Sequence, residues 1–327
     1  MALYKKLTDA IGNTPLVHLP LIPSLGLYAK LEYTNPGGSV KDRPALFMIE
    51  EAERTGLLNP GGTIIDASSG NQGIAVAMIG AMKGYKVIIT VSEKISHEKY
   101  QTLKAYGAQV VMCPAISDMS NPQNYHAQAV ALHHATPHSF MPNQYFNMMN
   151  AQAHYSLLGP EIWRQTEGKI THFFAAAGTC GTISGVGKYL KEQNPLIKII
   201  AMDSNNSYRA TNGCPLPYSV EGMGVDFDTP VLNKNVIDEF VTVTDQEAFD
   251  MLKNLAHNYG FLVGPSSGAV AHGAYSYAQK NLKPTDLAVM IFGDSGRAYL
   301  SKNLYDYDDQ EIVLKRSIKP AHTTTQI

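Results

Sequence analysis

The sequence predicts an α/β protein with mostly parallel sheets, and three observations carry that prediction. Apolar, β-branched runs recur along the 327 residues, as strands buried on both faces do. Helical stretches separate them, which is the pattern of βαβ units. Several runs lead into Gly/Ser-rich turns, and open α/β sheets bind ligands at the carboxyl ends of their strands.

Taken in order, the strand candidates are "GTIIDA" at 62–67, "KVIITVS" at 86–92, "AQVVMC" at 108–113, "THFFAAA" at 171–177, "IKIIAMD" at 197–203 and "LAVMIFG" at 287–293. "NQGIAVAMIGAMKGY" and "GTISGVGKYLKEQNP" read as intervening helices, the first apolar nearly all round and hence deeply packed, the second ending in charge. Four strand ends run into turns that open helices: "DASSGNQGIAV", "AAAGTCGTISG", "LVGPSSGAVAHG" and "IFGDSGRAYLSK". Helix N-termini there present free N–H groups and a positive dipole end, so several such turns converging suit one anionic ligand. The stretch 114–128 reads as loop, and "KPAHTTTQI" as a frayed tail.

Composition narrows the function. A chain that is 44% hydrophobic buries one large core or two medium ones, giving one or two domains. A net charge of −2 without a basic stripe excludes a phosphate backbone as partner. No run approaches the ~18 apolar residues that span a bilayer, and the N-terminus lacks a signal-peptide core, so neither membrane nor export is expected. Cys113, Cys180 and Cys214 are odd in number and far apart, which fits a reducing, cytoplasmic compartment.

Lys41 follows "NPGGSV" and precedes Asp42, Arg43 and Pro44. The P-loop reading fails because Asp42 stands where a magnesium-binding hydroxyl belongs. A surface lysine beside an acid is one reading. The other is a partly desolvated lysine that captures a carbonyl as a Schiff base, with the glycines letting backbone approach the bound group. "GTCGT", Gly178 to Thr182, suits a phosphate monoester at a helix N-terminus. Its rival is a dinucleotide site with Asp203 on the ribose, but the glycines break the GxGxxG spacing of a Rossmann oxidoreductase. "SSGNQG", Ser68 to Gly73, is either a capped helix or a seat for a carboxylate or ring hydroxyl, and Ser266 in "GPSSGA" is either a cap or a partner to a ring nitrogen. His126, His133, His134 and His138 complete no metal motif, and no GxSxG elbow exists.

Together these stretches resemble the cysteine synthase and cystathionine β-synthase family of pyridoxal-phosphate (PLP) enzymes, fold type II. The match runs over nearly the whole chain, through "IGNTPLV", "NPGGSVKDR", "SSGNQGIAVA", "NQYFNMMNAQAHY", "AAAGTCGTISGVGKYLKE", "VEGMGVDF", "GPSSGA" and "GDSGRAYLSK". "EKISHEK", "VEGMG" and "DSGRAYLSK" look closest to cystathionine β-synthases. The resemblance implies two domains with open twisted sheets, as in tryptophan synthase β: a larger PLP-anchoring one from 1–40 and 150–327, and a smaller one, 41–149, that closes over the substrate.

By the same resemblance, Lys41 matches the lysine that binds PLP and then takes the Cα proton of the substrate. Gly178, Thr179, Cys180, Gly181 and Thr182 match the phosphate loop. Asn71 matches the partner of the ring hydroxyl, and Ser266 that of the pyridine nitrogen. A neutral serine there leaves the nitrogen largely unprotonated, favouring loss of a β-substituent over transamination. Ser68, Ser69, Asn71 and Gln72, with Gln144, match the carboxylate seat, and Glu221 is expected at the substrate. No metal is implied. The implied partners are amino acids and a thiol or sulfide, and family members are commonly homodimers.

Some positions depart from the family pattern. Ser68 and Gln72 stand where threonines are usual, and Cys180 replaces the middle glycine of the phosphate loop. Val225 follows "EGMG" where cystathionine β-synthases typically carry a tyrosine that assists departure of hydroxide from serine. The expected reaction is β-replacement making cystathionine from serine or an activated serine plus homocysteine. Alternatives are cysteine synthesis from O-acetylserine or O-phosphoserine with sulfide, and, from Pro44 and "AKLEYTNPGG", joining of phosphoserine to glutamate for a siderophore precursor. A catalytically silent binding protein of the same fold is the alternative outside enzymes.

Overall fold

The apolar runs pair into two sheets. A computed structural model describes residues 3–116 and 118–306, so the tail read as frayed lies outside the described residues. The strands are β1 (Leu16–His18), β2 (Gly26–Leu31), β3 (Thr63–Ala67), β4 (Lys86–Ser92), β5 (Gln109–Cys113), β6 (Ser139–Phe140), β7 (His172–Ala176), β8 (Lys198–Ser204), β9 (Glu239–Val243) and β10 (Leu287–Phe292). A six-stranded sheet has the order β1-β2-β10-β7-β8-β9 and a four-stranded sheet the order β5-β4-β3-β6. Every pairing is parallel except β1 with β2.

Parallel strands need crossovers, and helices supply them. They are α1 (Asp42–Arg54), α2 (Asn71–Lys83), α3 (His97–Ala105), α4 (Tyr125–Ala135), α5 (Met149–Ala153), α6 (Gly159–Gln165), α7 (Gly181–Gln193), α8 (Asp245–Tyr259) and α9 (Pro265–Asn281). The period-two alternation of a strand then splits the core. Phe174, Ile200 and Met202 face α8 and α9, whereas Phe173, Ala175, Ile199 and Ala201 face α7 and α6. In the smaller sheet Ile64 and Ile89 pack on α1 and α2, and Ile65 on α4. Each large apolar side chain so buried contributes about 1.5–3 kcal/mol before entropy is counted.

Two readings of the turns change. The stretch before "GPSSGA" is not a strand: Val263 makes an isolated bridge to Ser295. "GDSGRAYLSK" opens a short 3-10 helix, Gly296–Lys302, rather than an α-helix. The other two turns open α2 and α7 as expected. A π-helical turn, His154–Leu158, joins α5 to α6 and keeps one helix running behind α7. No helix among the described residues is long and apolar enough to cross a membrane.

Candidate active site

Lys41 sits at the N-cap of α1, and what fixes it begins two residues later. Arg43 is buried and forks onto Glu32 through Nε at 2.7 Å and Nη2 at 2.8 Å, while Nη1 reaches Glu161 at 3.0 Å. Glu161 also takes Lys30 and the backbone N–H groups of Asn13 and Thr14. A planar guanidinium between two carboxylates tolerates little rotation, so the start of α1 is tied to the "IGNTP" loop. Arg43 and Lys30 hold the Glu161 carboxyl down at about 2, outweighing the burial that raises it.

Of the two glycines before Lys41, Gly37 serves the protein's own packing. The Gly37 N–H donates to Asp42 Oδ2 at 2.5 Å, and a Cβ on Gly37 would stand 2.5 Å from Asp42 Oδ1. Gly38 has φ +85°, a left-handed conformation. Asp42 fills the room beside Gly37, and its own burial pushes its carboxyl up to about 7.

The Lys41 amine points to the loop before α7, with Nζ 3.3 Å from Thr179 Oγ1. Burial pulls its pKa down to about 8, opposed by Cys180 and Asp294. Thr179 Oγ1 also accepts from Asn150 Nδ2 at 3.0 Å. With two donors aimed at it, the hydroxyl keeps its own proton for a ligand. Cys180 has φ 64°, the left-handed region, which explains why glycine is the usual occupant. A Cβ on Gly178 would stand 2.6 Å from the Gly222 carbonyl, and one on Gly181 2.0 Å from Asn150 Oδ1. Thr182 Oγ1 lies 3.2 Å from His154 Nε2, on the π-helical turn. Burial drives the His154 pKa well down, so a neutral imidazole backs the loop.

On the other side, Asn71 opens α2 and its Nδ2 donates to Asp294 Oδ2 at 2.7 Å. Ser266, at the start of α9, lies against Gly222, where a Cβ would come within 3.2 Å of its Oγ. The turns carrying Lys41, Asn71, Thr179 and Ser266 are thus linked: Asp294 holds Asn71 and the Gly264 N–H and bridges Ser39, while Gly222 lies against both Gly178 and Ser266. Gln144 is tied in through its carbonyl, which accepts from Asn150 Nδ2 at 2.8 Å. The buried Oε1 atoms of Gln72 and Gln144 have no hydrogen-bond partner, although a buried polar atom ordinarily has one. Ser68 Oγ accepts from the Gly70 N–H at 3.2 Å and Ser69 Oγ from the Ser92 N–H at 2.6 Å, so both serine hydroxyls already brace the loop.

Glu221, expected at the substrate, is paired with two lysines. Its carboxylate is held by Lys99 at 2.7 Å and by Lys302. Burial raises its pKa, and the two lysines more than reverse that. Asp203, weighed as a ribose partner, is taken by Ser207 at 2.7 Å and by Arg209. Among the described residues no group of His, Cys, Asp and Glu could hold a metal. Sequence reasoning missed Asp294, Asn150, His154 and Lys99; for Asp294 the signal was available, a carboxylate at the carboxyl end of a strand.

The profile described as "Pyridoxal-phosphate dependent enzyme" matches residues 7–294. The chain belongs to that family. Cystathionine beta-synthase of Apis mellifera is 44% identical over 91% of this chain, which spans 61% of that protein's length. Cysteine synthase of Staphylococcus aureus strain Mu50 is 41% identical over 93% of this chain and 97% of its own length. The crystal structure of the O-acetylserine dependent cystathionine beta-synthase from Helicobacter pylori superposes with TM-score 0.86 at 38% identity, covering 94% of this chain and all of that one. The fold is thus that of fold type II, and the protein is a PLP-dependent enzyme of the cystathionine β-synthase and cysteine synthase type, with PLP as cofactor and β-replacement as its chemistry.

The residues present fit that cofactor. A carbonyl partner has a lysine amine whose pKa lies near 8. A phosphate has the start of α7 and the Thr179 proton.

Proposed function

We propose that the enzyme makes cystathionine by β-replacement on an activated L-serine, O-acetylserine or O-phosphoserine, with L-homocysteine as nucleophile. The observation that carries the donor half is Val225. It is buried at 5% exposure and apolar, so that position offers no hydroxyl to help hydroxide leave unactivated serine. The similarity to the O-acetylserine dependent cystathionine beta-synthase from Helicobacter pylori supports the same reading.

Bound PLP supplies an electron sink for the bond broken at Cα. Lys41 would hold the cofactor and, once released, carry the Cα proton on Nζ, where a pKa near 8 leaves a useful fraction neutral. Gly178 to Thr182 would hold the phosphate, Asn71 the ring hydroxyl and Ser266 the pyridine nitrogen. Ser68, Ser69, Asn71, Gln72 and Gln144 would seat the substrate carboxylate. Glu221 is better read as organising Lys99 and Lys302 at the mouth than as binding substrate.

Residues 41–149 would close over the site, excluding water while the β-carbon is electrophilic. The bonds Ser96 to Ala298 and Glu98 to Ser301 are the candidates to make and break. A homodimer in the cytoplasm is proposed with it, in keeping with three unpaired cysteines.

The test is product analysis with serine, O-acetylserine and O-phosphoserine, each with homocysteine and with sulfide. Cystathionine from an activated donor supports the reading; none from any donor overturns it. Cysteine synthesis is the second reading, favoured by the relative named cysteine synthase, 97% of whose length this chain covers. Cysteine formed far faster than cystathionine would establish it.

A further inference from the structure

Asn71 has its side-chain amide held in one orientation. Nδ2 donates to Asp294 Oδ2 at 2.7 Å, and that same oxygen accepts from the Tyr299 hydroxyl at 2.5 Å. A flipped amide would set Oδ1 against a carboxyl oxygen already engaged by Tyr299, two acceptors facing each other in a buried site. With one Nδ2 proton committed to Asp294, Asn71 has its second Nδ2 proton left for a ligand.

Asp294 is itself immobilised. It follows β10 and is 3% exposed; its backbone bridges Ser39 and accepts from the Gly264 N–H at 3.0 Å. A Cβ on Gly264 would stand 1.9 Å from Asp294 Oδ1, so glycine there leaves just enough room for the carboxyl. Tyr299 is buried beneath Lys99, whose Nζ lies 4.0 Å from the ring centroid, and Lys99 is paired with Glu221. None of these groups has a role in the cofactor reading above, yet together they aim one amide.

We propose that Asp294 is a positioning residue for the cofactor: it fixes the Asn71 amide so that an Nδ2 proton, and not Oδ1, faces the ring hydroxyl of PLP. A donor there stabilises negative charge on that oxygen, and an acceptor repels it. The inference rests on the reading that Asn71 meets the ring hydroxyl.

The experiment is equilibrium binding of PLP and of its 3-deoxy analogue, which lacks that hydroxyl, to the full chain stripped of cofactor. Asp294→Asn is expected to weaken PLP about tenfold while leaving the analogue within about twofold. Asn71→Ala should show the same selectivity, and the double variant should bind PLP no more weakly than Asn71→Ala alone. Should Asp294→Asn fail to fold, Asp294→Ser provides the same comparison. Equal losses for both ligands in the Asp294 variants, with Asn71→Ala still selective, would overturn the inference alone. Loss of selectivity in Asn71→Ala as well would overturn the reading of Asn71 on which it stands.

Discussion

Lys41 Nζ lies 3.3 Å from Thr179 Oγ1, joining the start of α1 to the loop before α7. The amine stands beside a neutral hydroxyl in a buried place, and burial sets its pKa at about 8. Only the neutral amine attacks a carbonyl. The rate at which stripped protein captures PLP is therefore expected to rise about tenfold per pH unit up to pH 8 and then level off. Stopped-flow absorbance between pH 6 and 9.5 measures it; a flat profile would remove the lowered pKa from the account.

Cys180 holds a left-handed conformation that costs a side chain energy and costs glycine little. Cys180→Gly should keep stability within about 1 kcal/mol, whereas β-branched Cys180→Val should lose roughly 1–3 kcal/mol. Denaturant unfolding compares them. Burial also pushes this thiol up to about 12, so a thiol reagent should label exposed Cys214 in the folded protein and spare Cys180. Peptide mapping after brief labelling reads that out.

Glu161 joins Arg43, Lys30 and the "IGNTP" loop, and Glu161→Gln would leave two buried cations under-compensated. The expected loss at pH 7 is about 3–5 kcal/mol. Its carboxyl is depressed to about 2, so its contribution is full above the ordinary range near 4.5 and fades as pH falls toward 2. The gap between wild type and variant in urea midpoints should shrink over that window. A gap independent of pH would mean that the loop is held by packing instead.

Asp66, under the Ser68–Gln72 turn, has the opposite sign. Burial raises its carboxyl to about 6 from 3.8. The folded state thus binds its proton more tightly, a stabilisation present below about pH 4 and lost as pH rises through 6. Asp66→Asn should match wild type near pH 4 and exceed it by about 1–3 kcal/mol at pH 7.5. Thermal unfolding at the two pH values decides it.

What could be read in the sequence follows from where local pattern reports burial. β3, β4, β5, β7, β8 and β10 are continuous apolar runs, and each was legible within a residue or two. β2 was not, because "GLYAKL" carries Lys30, which is 0% exposed only through a carboxylate 131 residues away. β6 has two residues and β9 lies at a sheet edge, so neither forms a long apolar run. At the site, the motif-bearing turns were legible because glycine, serine and threonine at helix starts have few uses. Lys99 was not, nor was its pairing with Glu221, since a charge buried by a partner distant in sequence looks like any surface charge.

The pairing of β2 with β10 sets Gly26 opposite Leu287, about 260 residues later in the chain. On the ribosome, β2 therefore emerges early and has no parallel neighbour until nearly all of the described chain has followed. The four-stranded sheet draws only on residues 63–140 and needs no such wait. Until β10 is made, β2 has only its antiparallel partner β1, and its other edge stays unpaired. Such an intermediate invites aggregation, and slowing translation late in the chain lengthens its life.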